Sequence, residues 1–387
     1  MITRLVIENF KSLRKVDLTL GRVNLFIGTN ASGKSNFLEA LRVLQGIANG
    51  FTISEVLNGK PRSTTSEVWE GIRGGSAHAC FTGADEGREV RIEVHGRLEE
   101  APLHTWLYQI ALLPVEGVVS AESYTLDETG SEITSPTLPR HSYSNDFSTV
   151  GLRANSMLTE GYHDDDDPVI QIISSLANAQ RIDLAPDVLR SYSQADRAQR
   201  MGERGENFAA LVKTICENEA TKDAYLSWLR QLRPEEIDDV GTLSGAVGEP
   251  MFMLQEGGQT FPAPVLSDGT LRFAALAAAF FQPGMPRIMT IEEVENGIHA
   301  SRLQLLLELL RSQAAASHTQ VIATTHSATV LDWLQKDEYK TTFFCQRDEA
   351  TSESYIRALA DIPHFLDAVE KTPVSELFAE GWLETAA

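Results

Sequence analysis

Apolar residues along this chain keep two rhythms, one of strands and one of helices. Ile2 to Ile7 reads as a strand, and Val16, Leu18 and Leu20 alternate with polar neighbours as a second. Val23-Asn24-Leu25-Phe26-Ile27 follows as a short, apolar, buried strand. Phe37, Leu41, Leu44 and Ala48 then recur at helical spacing, with Gly50 where a helix stop is expected. From Phe51 to Glu100 the character is strand and turn; Glu89 to Val94 alternates cleanly, and Trp106 to Leu113 is a further strand. The segment from about Ser131 to Pro168 is rich in Ser, Thr, Pro, Asn and Asp and reads as loop.

From Val169 to about Arg233 the spacing predicts helices. Phe208, Leu211, Val212 and Ile215 make one apolar face, and Tyr225, Trp228, Leu229 and Leu232 another. Further on, Ser267 is placed to cap a helix whose body, Phe273 to Phe281, is almost wholly apolar. Pro283-Gly284-Met285-Pro286 ends it, and Arg287 to Ile291 reads as a buried strand. A helix with Leu303, Leu306, Leu307 and Leu310 on one face precedes another apolar strand, Thr319 to Thr325. Phe343 to Cys345 and Ser354 to Ile356 read as two more strands, with helices after them. No repeat is visible, and no heptad run is long enough for a coiled-coil arm.

Composition narrows the class. The 387 residues are 42% hydrophobic and 22% charged, as in soluble globular proteins, and suffice for one domain with a large insertion or for two. No run of 18 apolar residues exists and Met1 to Val6 lacks the pattern of a secretory signal, so a cytoplasmic, membrane-free protein is expected. Cys80, Cys216 and Cys345 lie far apart, with neither metal nor disulfide spacing, and are expected as reduced thiols. The net charge of −21 argues against a surface broadly adapted to nucleic-acid phosphates, although it leaves a local basic groove open.

The chemistry begins at Gly28-Thr29-Asn30-Ala31-Ser32-Gly33-Lys34-Ser35. This stretch fits the phosphate-loop pattern G-x-x-x-x-G-K-[ST] at every specified position, between a predicted strand and a predicted helix. Its amides and the helix N-terminus receive phosphates, Lys34 reaches the β- and γ-phosphates, and the Ser35 hydroxyl ligates Mg²⁺. Glu292 and Glu293 end the strand at Ile291, where open α/β sheets place their chemistry. One can hold Mg²⁺ through its shell, and the other can orient or deprotonate water. The next strand delivers His326 to the same edge. Two charged features are bland by comparison. Asp164 to Asp167 read as a solvated acidic loop, with a cation site as the alternative, because adjacent residues do not converge on one point. A helix through Arg197, Arg200 and Arg204 would align three guanidinium groups, as a solvated face or as a contact for a partner or nucleic acid.

In this order, phosphate loop, Leu266-Ser267-Asp268-Gly269, acidic strand end and strand-terminal histidine, the chain resembles an ATP-binding-cassette (ABC) ATPase. It is similar to the branch of RecF, the SMC proteins and the overcoming-lysogenization-defect (OLD) nucleases, including standalone AAA-family proteins of bacterial defence operons. Ile7-Glu8-Asn9-Phe10-Lys11-Ser12, Asn30 within the loop, and Glu292-Glu293-Val294-Glu295-Asn296-Gly297-Ile298-His299 carry that likeness. Glu292 stands where the branch usually has Asp, and Val294 where it has Pro.

The resemblance implies an α/β phosphate-loop NTPase of ABC type: a mixed central sheet with helices, an N-terminal antiparallel β lobe and a helical lid insertion. Residues 1–130 and 246–387 would form the head and 131–245 the lid. Gly28, Asn30, Gly33, Lys34, Ser35 and Asn36 would bind ATP, with Ser35 and Glu292 serving Mg²⁺. Glu293 would be the catalytic carboxylate and His326 the sensor of the γ-phosphate, while Ser267 and Gly269 would contact ATP held by a second subunit. Gln109 and Gln171 are the candidates for the branch's lid glutamine. Three functions follow: a dimeric ATPase controlling a separate effector such as a nuclease in anti-phage defence, a RecF-like repair ATPase acting on DNA, and a non-hydrolysing ATP-dependent scaffold. Intact Lys34, Ser35, Glu293 and His326 weigh against the scaffold, and the charge weighs against a DNA motor.

Overall fold

Alternation over the first hundred residues builds an antiparallel sheet with one buried face. The computed structural model describes residues 1–60, 69–81, 89–97, 105–127, 132–134, 168–233 and 236–386. The acidic run Asp164 to Asp167 lies outside these residues. The chain divides into two units, one of residues 1–179, 337–365 and 383–387, the other of residues 180–336 and 366–382.

In the first unit, β1 (Ile2–Phe10), β2 (Leu13–Thr19), β4 (Val90–Arg97), β5 (Thr105–Leu113), β6 (Val118–Asp127) and β7 (Glu132–Thr134) pair in the order β2-β1-β4-β5-β6-β7. Leu5 faces Val94 and Ile7 faces Ile92 across β1 and β4, so the period-two pattern of each strand meets its own kind. This is the expected antiparallel lobe. Trp106 is buried opposite Gly96, where a Cβ would lie 2.1 Å from the indole. β3 (Val23–Ile27) instead pairs in parallel with β14 (Thr342–Arg347), which pairs antiparallel with β15 (Ser354–Ala358). Phe26 of β3 stacks between Phe37 of α1 (Lys34–Ala48) and Phe343 of β14, with ring centroids 4.4 and 4.8 Å away. That aromatic layer seats α1 on the strand that feeds it.

Two features of this unit escaped the sequence pattern. A short helix, α2 (Ile53–Asn58), starts at Thr52 with a complete capping box to Glu55, inside a region read as strand and turn. β6 and β7 extend the sheet beyond Leu113. A further helix, α3 (Pro168–Ala177), packs against α1.

The second unit is organised around α7 (Asp268–Phe280), whose Phe273 to Ala279 are almost entirely buried. Its run of alanines combines high helix propensity with small side chains, so neighbours approach closely. α5 (Phe208–Ile215) and α6 (Glu219–Leu232) lie against it, and the Tyr225 hydroxyl donates to the Ala274 carbonyl at 3.0 Å. A three-stranded sheet, β9 (Ile237–Ser244), β10 (Pro250–Glu256) and β11 (Gln259–Pro262), covers α5 through Phe208 and Phe252. Beside these run β12 (Ile288–Ile291) and β13 (Gln320–Thr325), parallel neighbours, with β8 (Ala179–Ile182) on the other side of β12 and α8 (Leu303–Ala316) following β12 in the chain.

The region 169–233 is less helical than its spacing predicts. Between the end of α3 and the start of α5 it holds only β8 and a short turn of helix, α4 (Pro186–Leu189), and residues 190–207 are irregular. Arg197, Arg200 and Arg204 therefore do not form a helical row. Gly202 and Gly205 break the window, Gly205 with φ +86°, and Arg197 pairs with Glu217 and Asp196.

Candidate functional site

In the first unit, β3 runs into Gly28 and the chain wraps to Gly33, which caps α1 with φ 105°. The first turn of α1 has no side-chain cap and no acidic residue, unlike the helices that Ser267, Asn218 and Thr52 cap. The first-turn amides thus carry no competing side-chain oxygen or carboxylate, which suits an anion. Lys34 is 5% exposed, and its Nζ donates to the carbonyls of Gly28 and Thr29, both at 2.7 Å, and to Ser32 Oγ at 3.2 Å. A buried ammonium parked on loop carbonyls holds the ring that phosphates would fill. Asn30 is exposed and Ser35 half-buried in the first turn. Asn36 turns away to the β1–β2 turn, donating to Ser12 Oγ at 2.6 Å.

Both pattern glycines are demanded by neighbours. A Cβ at Gly28 would lie 2.1 Å from the Cys345 carbonyl, and one at Gly33 would lie 2.5 Å from Ser354 Oγ. Burial pushes the Cys345 thiol up to about 12, against the pull of Lys34, so it stays neutral beside the loop.

In the second unit, the parallel register of β12 and β13, with Ile291 opposite Ala323, brings their C-terminal ends to one edge. Glu293 leaves β12 with φ 45°, a left-handed conformation costly for a non-glycine residue. Its amide donates to Thr324 Oγ1, and the amide of Val294 donates to the Thr324 carbonyl, each at 3.0 Å. These two bonds hold the strained turn. The Glu293 carboxylate lies 3.6 Å from His326 Nε2 and accepts from Asn296 Nδ2 at 3.2 Å.

Glu295, which the sequence reading left without a role, fixes the other side of this pair. Its Oε1 accepts the backbone amide of His326 at 2.7 Å, and its Oε2 is buried without a hydrogen-bond partner among the described residues. Glu292 meets Arg181 of β8: Nε and Nη2 reach its Oε1 at 2.9 and 2.7 Å, while Nη1 reaches Glu203 at 2.7 Å. Burial works to lower the Arg181 pKa, but Glu203, Glu292 and Asp183 together raise it above its ordinary value. Neither Arg181 nor Glu295 carries a local signal, because each contact depends on chain that is remote in sequence.

The Leu-Ser-x-Gly stretch opens α7. Ser267 Oγ accepts from the Thr270 amide at 3.2 Å, the cap expected from sequence. Arg190 braces this turn, donating through Nη2 to the Leu266 carbonyl at 3.0 Å and to Asp268 at 2.5 Å. A Cβ at Gly269 would meet the Gly297 carbonyl at 2.5 Å, so the helix start packs tightly on the loop after Glu293. Of the two lid candidates, Gln109 is committed within β5's sheet, donating to Glu93 at 2.6 Å and accepting from Ser123 at 3.0 Å. The side chain of Gln171 lies outside the described residues.

Among the described residues no group of three or more His, Cys, Asp or Glu converges to hold a metal. Mg²⁺ fits such a donor set when phosphates and water supply most of its oxygens and one hydroxyl, that of Ser35, supplies another.

Comparison with known proteins agrees with this chemistry. Residues 122–332 match the family model described as AAA domain, putative AbiEii toxin, type IV toxin–antitoxin system, and residues 1–63 match an AAA ATPase domain. An OLD nuclease of Thermus scotoductus is 23% identical over 92% of this chain, which spans 64% of that protein's length. An ATP/GTP phosphatase of Helicobacter pylori is 22% identical over 90% of this chain and 93% of its own. The SMC head solved in complex with the C-winged helix domain of ScpA shares the fold, with a TM-score of 0.52 at 13% identity over 93% of this chain and 98% of that one. The chain belongs to the family of AAA domains described as putative AbiEii toxins of type IV toxin–antitoxin systems, and it is an ATPase of the ABC/SMC/OLD-like kind.

Proposed function

We propose that this ATPase binds ATP in the loop Gly28 to Ser35, closes as a dimer around two ATP molecules, and uses closure to control a partner effector in anti-phage defence. The observation that carries the nucleotide site is the uncapped start of α1 beside a buried, carbonyl-bound Lys34. On binding, Lys34 exchanges the carbonyls of Gly28 and Thr29 for phosphate oxygens, a stronger, charge-assisted contact. The loop and α1 amides take the remaining phosphate oxygens, with Gly28, Asn30 and Gly33 shaping the approach and Asn36 bracing α1 from behind. Ser35 would hold Mg²⁺, which neutralises charge on the phosphates, and Glu292 would support it through water from the oxygen not bonded to Arg181. Glu293 orients and deprotonates the attacking water, and His326, held through its amide by Glu295, senses the γ-phosphate. Residues 1–130 and 246–387 form the head in this reading, and 131–245 the lid.

Ser267 and Gly269 would meet ATP bound by a second copy, from the face a phosphate loop leaves open. The toxin–antitoxin description of the family supports an effector context. Lys34→Ala is expected to lose ATP binding, whereas Glu293→Gln keeps binding and loses hydrolysis. ATP titration followed by phosphate release measures both. Wild-type turnover by Glu293→Gln would sink the catalytic assignment, and tight, salt-resistant duplex DNA binding by the purified chain would replace effector control with a direct role on DNA.

A further inference from the structure

The β14–β15 hairpin touches the phosphate loop at both ends. Cys345 of β14 presents its carbonyl to Gly28, and Ser354 of β15 presents its side chain to Gly33. Ser354, 1% exposed, donates its amide to the Ser12 carbonyl and its hydroxyl to Ser12 Oγ, both at 2.7 Å. Ser12 Oγ also accepts from Asn36 Nδ2 in the first turn of α1 at 2.6 Å. One hydroxyl therefore joins the hairpin, the β1–β2 turn and the helix that receives phosphate. The turn is itself fixed: Asn9 and Lys11 are left-handed, with φ 59° and 53°, and Lys11 pairs with Glu39 of α1.

We propose that Ser12 and Ser354 are positioning residues for nucleotide binding, holding Gly33 and the first turn of α1 in the shape that receives phosphate. Gly33 has no side chain of its own to hold it. Its conformation, at φ 105°, is fixed by what stands behind it. Removing either hydroxyl breaks the contact that ties the hairpin to the β1–β2 turn, so the Ser354 side chain behind Gly33 is held less firmly. The cost falls on capture of ATP rather than on the water-activating groups, which belong to other strands. This inference rests on the assignment of Gly28 to Ser35 as the ATP site.

The test uses the full chain as wild type, Ser12→Ala, Ser354→Ala and the double variant. Each is titrated with a fluorescent ATP analogue and Mg²⁺, assayed for KM and kcat, and melted without nucleotide. Each alanine variant is expected to bind roughly tenfold more weakly, with KM rising in step and kcat nearly constant. The double variant should resemble Ser12→Ala, because the Ser354 hydroxyl acts through a contact that Ser12→Ala already removes. A purely structural role would lower the melting temperature and leave the affinity of the folded protein unchanged, and that outcome overturns the proposal. If Ser354→Ala does not fold, Asn36→Ala removes only the helix side of the same contact. It should weaken ATP severalfold, and wild-type affinity in it overturns the proposal equally. Wild-type protein that fails to bind ATP would sink the loop assignment itself, separately from the positioning roles.

Discussion

Glu39 sits on the buried side of α1 at 8% exposure, where a lone carboxylate would be expensive to ionise. Burial works to raise its pKa, but hydrogen bonds from Lys11 and Arg73 outweigh this and hold it below its ordinary value. A depressed carboxylate stabilises the fold fully above its unfolded pKa of about 4.3, and that contribution is lost as pH falls through the folded value. Glu39→Gln leaves Lys11 buried opposite a neutral amide, so it should cost about 3 kcal/mol at pH 7. The gap to wild type should hold down to about pH 4.3 and shrink only as the pH falls further, through the lower folded value. Urea unfolding from pH 7 down through that range measures it, and a gap that stays constant throughout would remove the charge pairing as the cause. At this scale the sequence was legible where residues act through their neighbours. Gly28, Gly33, Lys34 and Ser35 declare themselves by spacing, and Ser267 by the amide three positions on. Arg181, Glu295 and Ser354 do not, because their roles exist only once remote strands are laid side by side.

Elements were read well where one periodicity persisted and badly where glycines intervened. α1 and α7, with the strands at Val23, Ile288 and Gln320, come through because each has a continuous apolar face or run. The arginine row at 197–204 failed because two glycines outweigh charge spacing, and α2 was missed although its capping box is written in Thr52 and Glu55. The β9–β11 sheet carries turns rather than a long alternation, so it left no comparable trace. The start of α7 bears a testable consequence of packing. Gly269→Ala drives a methyl into the Gly297 carbonyl, so it should destabilise the second unit by about 2 kcal/mol. Since the displaced loop carries Glu293 and Asn296, hydrolysis should fall more than ATP affinity does. Thermal unfolding alongside kcat and Kd checks this, and an unchanged melting temperature would refute the close approach.

For the whole molecule, the dimer reading makes a demand that no isolated phosphate-loop ATPase would meet. Ser267→Arg should retain monomeric ATP binding and lose turnover, because a bulky cation would stand where the partner's γ-phosphate arrives. Mixed with Lys34→Ala, it should regain part of the wild-type phosphate release, since a heterodimer keeps one site with both Lys34 and Ser267 intact. A mixture that exchanges subunits yet stays inactive counts against the shared site. The pairing of β3 with β14 has a consequence in time as well as in space. Leu25 finds Thr342, and Gly33 finds Ser354, only after more than three hundred further residues have been made. At common synthesis rates that interval lasts roughly 15–60 s. Through it the nascent chain displays every letter of its phosphate-loop pattern yet lacks the hairpin that packs on it, so it is expected to hold nucleotide more weakly until β14 and β15 emerge from the ribosome.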